Sequence, residues 1–395
     1  MTNISFKHLL NYKQTYFGGT EMEFIDLQKQ YRELEKEINY GIKNVLEHGK
    51  YIMGPEVQQL EKELCNFTGS KYCLTCANGT DALHMALMAL GIGPGDAVFV
   101  PSFTFMSTAE VVNLVGATPV FADINIDTFN LDPKSFEHAV QKTISKGDLK
   151  PKAVIPVDLF GQCADYEKII PIAKKHGLFV IEDAAQGFGG SINGKMACSF
   201  GDISTTSFFP AKPLGCYGDG GAVLTDDDDM FQLMSSIRVH GKGTMKYDNV
   251  RVGLNSRLDT IQAAILLPKL HAFISSELEL RNKWAAQYTI LLKDKVRIPN
   301  VPNGYISSWA QYTILLDDSR QRESLQKKLK EKGIPTNIYY SKPLHLQTVY
   351  LPLGYPKGSL PFSGEASERV LSLPMHPYMT EDMVNEIASA IISEL

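Results

Sequence analysis

The chain has 395 residues, 44% hydrophobic and 21% charged, a composition that buries a large core and excludes disorder. At roughly 150 residues per domain it predicts two or three domains. A net charge of −5 argues against a chain-wide nucleic-acid or anionic-membrane partner.

Residues 1–21 are aromatic and polar without a clear period and end in Gly18-Gly19. They lack the long apolar run of a secretory signal. They read as an appended arm, or as sequence upstream of a second start at Met22. Leu27, Tyr31, Leu34, Ile38, Ile42 and Leu46 then follow at the mixed three and four spacing of a helix.

From about residue 70 the pattern alternates. Strands are predicted over 72–75, 97–101, 118–122, 153–157 and 179–182, separated by helices over 80–90, 107–115, 133–146 and 168–176. Such strand–helix–strand units imply a mostly parallel sheet covered on both faces. Two more strands are expected over 204–209 and 221–225. The most apolar stretch, 97–123, is interrupted by Pro101, Glu110 and Pro119, so no membrane span is expected. Beyond Ser256 long helices are predicted over 258–270 and 278–292. A strand over 312–316 and a helix over 322–332 follow. The expected division is an extension (1–21), a large domain (22–265) and a smaller α/β domain (266–395).

Six cysteines in a chain this long do not form a disulfide framework, and a reducing cytoplasm is the expected compartment. Cys73-x-x-Cys76 lacks a second pair or nearby His, so it reads as buried thiols rather than a metal site. Gly189–Lys195 has Walker-like spacing, but Met196 stands where a magnesium-binding hydroxyl belongs. Asn193-Gly194 there reads as a hairpin turn.

Three features carry chemistry. Lys212 lies between an apolar run and a turn holding Gly215, Gly218, Gly220 and Gly221. A lysine among apolar groups tends toward the nucleophilic neutral amine, although by itself it is equally a surface lysine beside a turn. Asp183 ends the run Phe179-Val-Ile-Glu-Asp, where parallel α/β folds bind ligands. A carboxylate there can hold a pyridinium proton, or simply cap a helix. Asn78-Gly79-Thr80-Asp81 precedes an apolar helix, whose first N–H groups with the Thr80 hydroxyl can cradle a phosphate, unless Asp81 caps it.

In that order the three features resemble a fold type I, aspartate-aminotransferase-like pyridoxal-phosphate enzyme. From Met22 onward the chain is similar to the DegT/StrS-type nucleotide-sugar aminotransferases. The matching stretches are 78–83, 101–105, 182–186, 206–221 and 253–264. The resemblance implies pyridoxal 5′-phosphate as cofactor, with Lys212 as the Schiff-base lysine and proton shuttle and Asp183 on the pyridinium nitrogen. Gln186 would meet the ring hydroxyl and Phe105 would stack on the ring. Gly79, Thr80 and Ser207 would hold the phosphate, and Asn255 would reach it from the other subunit of a homodimer. No metal is implied.

Arg238, Lys242, Lys246, Arg251 and Arg257 form a local basic excess suited to the diphosphate of a nucleotide sugar, with Arg257 the chosen contact. The subgroup most similar around Lys212 and Asn255 uses L-glutamate to aminate C3 of UDP-2-acetamido-2-deoxy-3-ketohexuronic acid, toward surface polysaccharides such as O-antigen. Tyr339 and Ser341 depart from that subgroup's His-Tyr-Pro around Tyr340, a segment expected to touch substrate across the interface. A neutral UDP-3-keto-N-acetylglucosamine, on the lipid A route, or another keto sugar is the nearest alternative. A DNA-binding regulator, the remote one, would need a helix-turn-helix and a basic reading face; neither is found.

Overall fold

The computed structural model describes residues 22–245 and 247–395. The N-terminal extension and Lys246 lie outside the described residues.

Helix α1 (Leu27–His48) begins where the Asp26 carboxylate accepts from Lys29 N at 2.7 Å and stops at Gly49, in the left-handed region at φ 69°. Its buried side is centred on Gln30, Ile38 and Val45. Leu46, expected on the apolar face, is exposed, because a 3.6-residue period carries the seam to Val45. Helix α2 (Pro55–Thr68) has proline in its first turn.

The alternating region then runs β1 (Tyr72–Cys76), α3 (Gly79–Ala89), β2 (Asp96–Pro101), α4 (Ser107–Leu114), β3 (Thr118–Ala122), α5 (Pro133–Lys146) and β4 (Lys150–Val154). It continues through α6 (Tyr166–Lys175), β5 (Phe179–Asp183), β6 (Ser191–Ile192), β7 (Lys195–Met196), β8 (Ile203–Ser207), β9 (Gly221–Thr225) and α7 (Asp228–Ile237). Seven strands form one sheet in the order β1-β9-β8-β5-β4-β2-β3. Pairs from β8 through β3 are parallel, and β9 runs antiparallel to both its neighbours. This is the mostly parallel mixed sheet expected.

Residues alternate between faces along each strand. Phe99, Val154 and Val180 enter the core on one face with Phe136, Tyr166 and Phe188. Val98, Val100, Ile181 and Ile203 enter the other with Leu83, Met85 and Val111. Ile192 pairs with Lys195 across Asn193-Gly194, both at positive φ, so this segment is the two-residue hairpin predicted.

Helix α8 (Thr260–Ala272) runs through residue 265, and its Ala263, Leu266 and Leu270 join the core of the large sheet. Gly41 lets α1 approach it closely, since a Cβ there would stand 3.0 Å from the Ala264 carbonyl oxygen. After a π-helical turn (Phe273–Glu277) come α9 (Leu278–Leu292), β10 (Tyr305–Ile306), β11 (Tyr312–Leu315), α10 (Ser319–Glu331), α11 (Pro361–Arg369), β12 (Val370–Leu373) and α12 (Glu381–Glu394). Strand β10 adds to the β6–β7 hairpin, while β11 and β12 pair antiparallel. Around that pair Trp284, Tyr288, Leu325, Leu329, Ile387 and Ile391 form a further core. No helix of the described residues is long and apolar enough to cross a membrane.

Candidate active site

The ends of β2, β5 and β8 and the start of α3 surround a cavity of about 420 Å3. Gly79, Thr80, Phe105, Asp183, Gln186, Ser207, Lys212, Tyr339 and Tyr340 all line it. Five separate stretches of sequence thus converge at the carboxyl ends of parallel strands.

Asp183 is the last residue of β5 and is buried. Its Oδ2 accepts from Thr108 Oγ1 at 3.0 Å, and its Oδ1 from Ala185 N at 3.2 Å. No helix begins after it, so the carboxylate is not a helix cap. Burial raises its pKa, against the pull of these two bonds and of the Lys212 charge. Lys212 follows β8 in a tight turn, with its N–H donating to Phe209 O at 2.9 Å. Burial of its amine lowers its pKa, opposed by the charge of Asp183. Desolvation therefore moves both groups toward their neutral forms, while their mutual attraction favours the charged ones.

The phosphate-type cradle is built on Asn78, not Asp81. Asn78 Oδ1 accepts from Asp81 N at 2.8 Å and so caps α3. The N–H groups of Gly79 and Thr80 occupy the first turn, where helix geometry offers no intrahelical acceptor. Thr80 Oγ1 lies 2.9 Å from Ser107 Oγ. Glycine is required at 79: a Cβ there would stand 2.7 Å from Ser207 Cβ.

Gln186 spans the opposite wall. Its Nε2 donates to Tyr340 Oη at 3.1 Å, and its Oε1 accepts from Phe160 N at 2.9 Å. The Phe105 ring is 55% exposed at the cavity edge, with its centroid 6.2 Å from that of Tyr340. Tyr339 and Tyr340 line the cavity of their own chain, whereas the resemblance implied contact across an interface.

Asn255 and Arg257 do not line this cavity. The Arg257 guanidinium donates to Asn255 Oδ1, and the segment is tied near the cradle by Ala77 N donating to Ser256 Oγ at 3.1 Å. Arg238 is not part of an exposed basic patch. It is buried, paired with Glu61 at 2.6 Å and bonded to Thr75 O at 3.0 Å. Sequence reasoning missed Thr108, Ser107 and Gln311 on the cavity wall. Among the described residues no group of three or more His, Cys, Asp or Glu side chains is arranged to hold a metal ion.

Residues 32–392 match the DegT/DnrJ/EryC1/StrS aminotransferase family. A relative from Pseudomonas aeruginosa named UDP-2-acetamido-2-deoxy-3-oxo-D-glucuronate aminotransferase is 48% identical, over 94% of this chain and 99% of its own. A Geobacillus stearothermophilus relative named pleiotropic regulatory protein is 44% identical, over 93% of this chain and 96% of its own. The crystal structure of a DegT DnrJ EryC1 StrS aminotransferase from Brucella abortus superposes with a TM-score of 0.90 at 52% identity, covering 94% of this chain and 98% of that one. The fold is therefore that of a fold type I enzyme, and the chain belongs to the DegT/DnrJ/EryC1/StrS family of sugar aminotransferases.

Proposed function

We propose that this aminotransferase moves the amino group of L-glutamate to C3 of a UDP-linked 2-acetamido-2-deoxy-3-ketohexuronic acid, with pyridoxal 5′-phosphate as cofactor. The observation that carries the reading is the meeting of Lys212, Asp183 and the Gly79–Thr80–Ser207 cradle in one cavity. These groups fit the cofactor: an amine, a buried carboxyl group and a helix start whose glycine lets Ser207 come close beside the first free N–H groups. When bound, pyridoxal phosphate supplies an electron sink at the carbon bearing the amine and carries the amino group between half-reactions.

The protein's own groups do the rest. Gly79, Thr80 and Ser207 would hold the phosphate, and Phe105 would cover the ring. Asp183, oriented by Thr108, holds a proton at the pyridine nitrogen. Lys212 would hold the cofactor through its amine and would move the proton at the reacting carbon. Gln186, tied to Tyr340, would meet the ring hydroxyl, and Tyr339 and Tyr340 would contact the sugar substrate. Asn255 and Arg257 complete a second copy's cavity, so the active unit is a homodimer with shared sites. All six cysteines are free thiols, which suits a reducing cytoplasm where a UDP-sugar destined for surface polysaccharide is assembled.

The test is the specificity constant for the 3-keto uronate against the neutral UDP-3-keto-N-acetylglucosamine, with formation of 2-oxoglutarate followed in parallel. Preference for the uronate is expected. A clear preference for the neutral sugar overturns the substrate and leaves the aminotransferase chemistry standing.

A further inference from the structure

A second pair of carboxyl groups lies behind Asp183. Glu182 precedes it on β5 and faces the other way; Asp158 follows Val157, which bridges to Asp183. Both are fully buried. Glu182 is rich in donors, accepting from Cys198 N at 2.7 Å, Phe200 N at 2.8 Å and Ser204 Oγ at 2.6 Å. Asp158 Oδ1 accepts from Ala164 N at 2.8 Å and Tyr166 Oη at 2.9 Å. Asp158 Oδ2 is buried and receives no donor, and the Asp158 and Glu182 carboxyl groups each bear on the other's titration.

Two ionised carboxylates cannot bond to one another. The titratable groups facing the pair are Tyr166, Cys163, Cys198 and Tyr305, and none is cationic. The missing element is a proton. Three donors favour the charge on Glu182, which leaves the proton to Asp158.

The pair also touches the active site. Asp158 N donates to Asp183 O at 3.0 Å. A Cβ on Gly187 would stand 2.3 Å from Asp158 Cβ and 2.6 Å from its Oδ2, so the turn carrying Gln186 lies directly on this carboxyl. Two residues after Asp158, Phe160 N donates to Gln186 Oε1.

We propose that Asp158 stays protonated, donates from Oδ2 to Glu182, and through this shared proton acts as a positioning residue for Gln186 and Asp183. The positioning role rests on the function proposed above; the protonation state does not. Burial first, then the Glu182 charge, push the Asp158 carboxyl well above the usual carboxylate range. The pair titrates as a unit. Ionising Asp158 would set like charges against each other in a fully buried site, and the loop holding Gln186 would move.

Asp158→Asn is the decisive variant, because its amide donates to Glu182 while its oxygen keeps both acceptor contacts. It is expected to keep the visible absorption of the pyridoxal-phosphate holoenzyme and kcat/KM within about threefold of the wild type. Asp158→Ala is expected to shift that absorption and lower kcat. The stability sign is set by the raised native pKa: the folded state holds a proton that the unfolded chain releases above its ordinary carboxylate range. Wild-type stability from this pair is present in acid and falls as pH rises through the pair's titration. Asp158→Asn should lack that fall, so its Tm should gain on the wild type with rising pH.

Parallel Tm–pH curves for the two proteins overturn the shared proton, whatever the substrate proves to be. So does a wild-type holoenzyme whose infrared spectrum at neutral pH lacks the carbonyl stretch of a buried carboxylic acid, a measurement needing no variant. Tolerance of Glu182→Gln with loss of the holoenzyme spectrum in Asp158→Asn places the proton on Glu182 and overturns the assignment. An unchanged spectrum and kcat in Asp158→Ala would remove the positioning role.

Discussion

Lys212 and Asp183 reach one cavity from the ends of different strands, and each alters the other's titration. Lys212→Ala is expected to abolish nearly all transamination. Reducing the holoenzyme with borohydride should leave the cofactor fixed to Lys212, and label on another lysine would remove its anchoring role. Asp183→Asn keeps the shape and the Ala185 contact but removes the anion. The expected loss is several kcal/mol of barrier, on the order of 10³-fold or more in kcat with cofactor still bound; near-normal turnover would take Asp183 out of the mechanism. The apolar runs make the places of both residues beside strands legible, but alone they leave a surface lysine and a helix cap open. It is the order of the motifs and the family resemblance that point to their chemistry. Thr108 is not legible, since its contact with Asp183 spans 75 residues and depends on where the tertiary fold sets the first turn of α4. Arg238 misled for the same reason: a local charge count cannot see Glu61, 177 residues away.

The elements were legible wherever period and punctuation agreed, as in α5, closed by Gly147 at φ 72°, and in β3. Strand β4 fell three residues earlier than the period suggests. Lys150, Pro151 and Lys152 look too polar for a strand, yet the backbone pairs Lys150 with Asp96 and Pro151 with Ala97 before a register shift. After Ile155, Pro156 interrupts the ladder, leaving only the Val157–Asp183 bridge. The cradle shows the same dependence on close approach: Gly79 matters for the strand it lets in, not for its own φ. Gly79→Ala should force the start of α3 away from the end of β8, because the added carbon meets Ser207 Cβ at 2.7 Å. Overpacking of this kind costs about 1–3 kcal/mol, and where it displaces the cradle it should raise the cofactor Kd about tenfold or more. Titration of the apoenzyme with pyridoxal phosphate measures this; unchanged affinity would mean that the helix start is not the phosphate site.

At the scale of the whole molecule, the cavity draws on residues from 78 to 340 of one chain but not on Asn255 or Arg257. Beside those two, Val250 and Val252 are 55% and 85% exposed. Exposed apolar side chains next to polar ones of this kind suit a face covered by a second copy. With Ser256 holding the segment near Ala77, Asn255 can serve a partner's cradle while remaining outside its own. Mixing Lys212→Ala chains with Asn255→Ala chains tests this without a structure of the dimer. If Asn255 acts across the interface, a mixed dimer gathers both lesions into one site and leaves the other whole. Random exchange of equal amounts then restores about a quarter of the wild-type sites, since half the dimers are mixed and each has one intact site. If Asn255 serves its own chain, every site keeps one lesion and nothing is restored. The measurement is transamination before and after subunit exchange, with exchange verified by differently tagged chains; exchange without recovery, in variants each severely impaired alone, would place Asn255 outside a shared site.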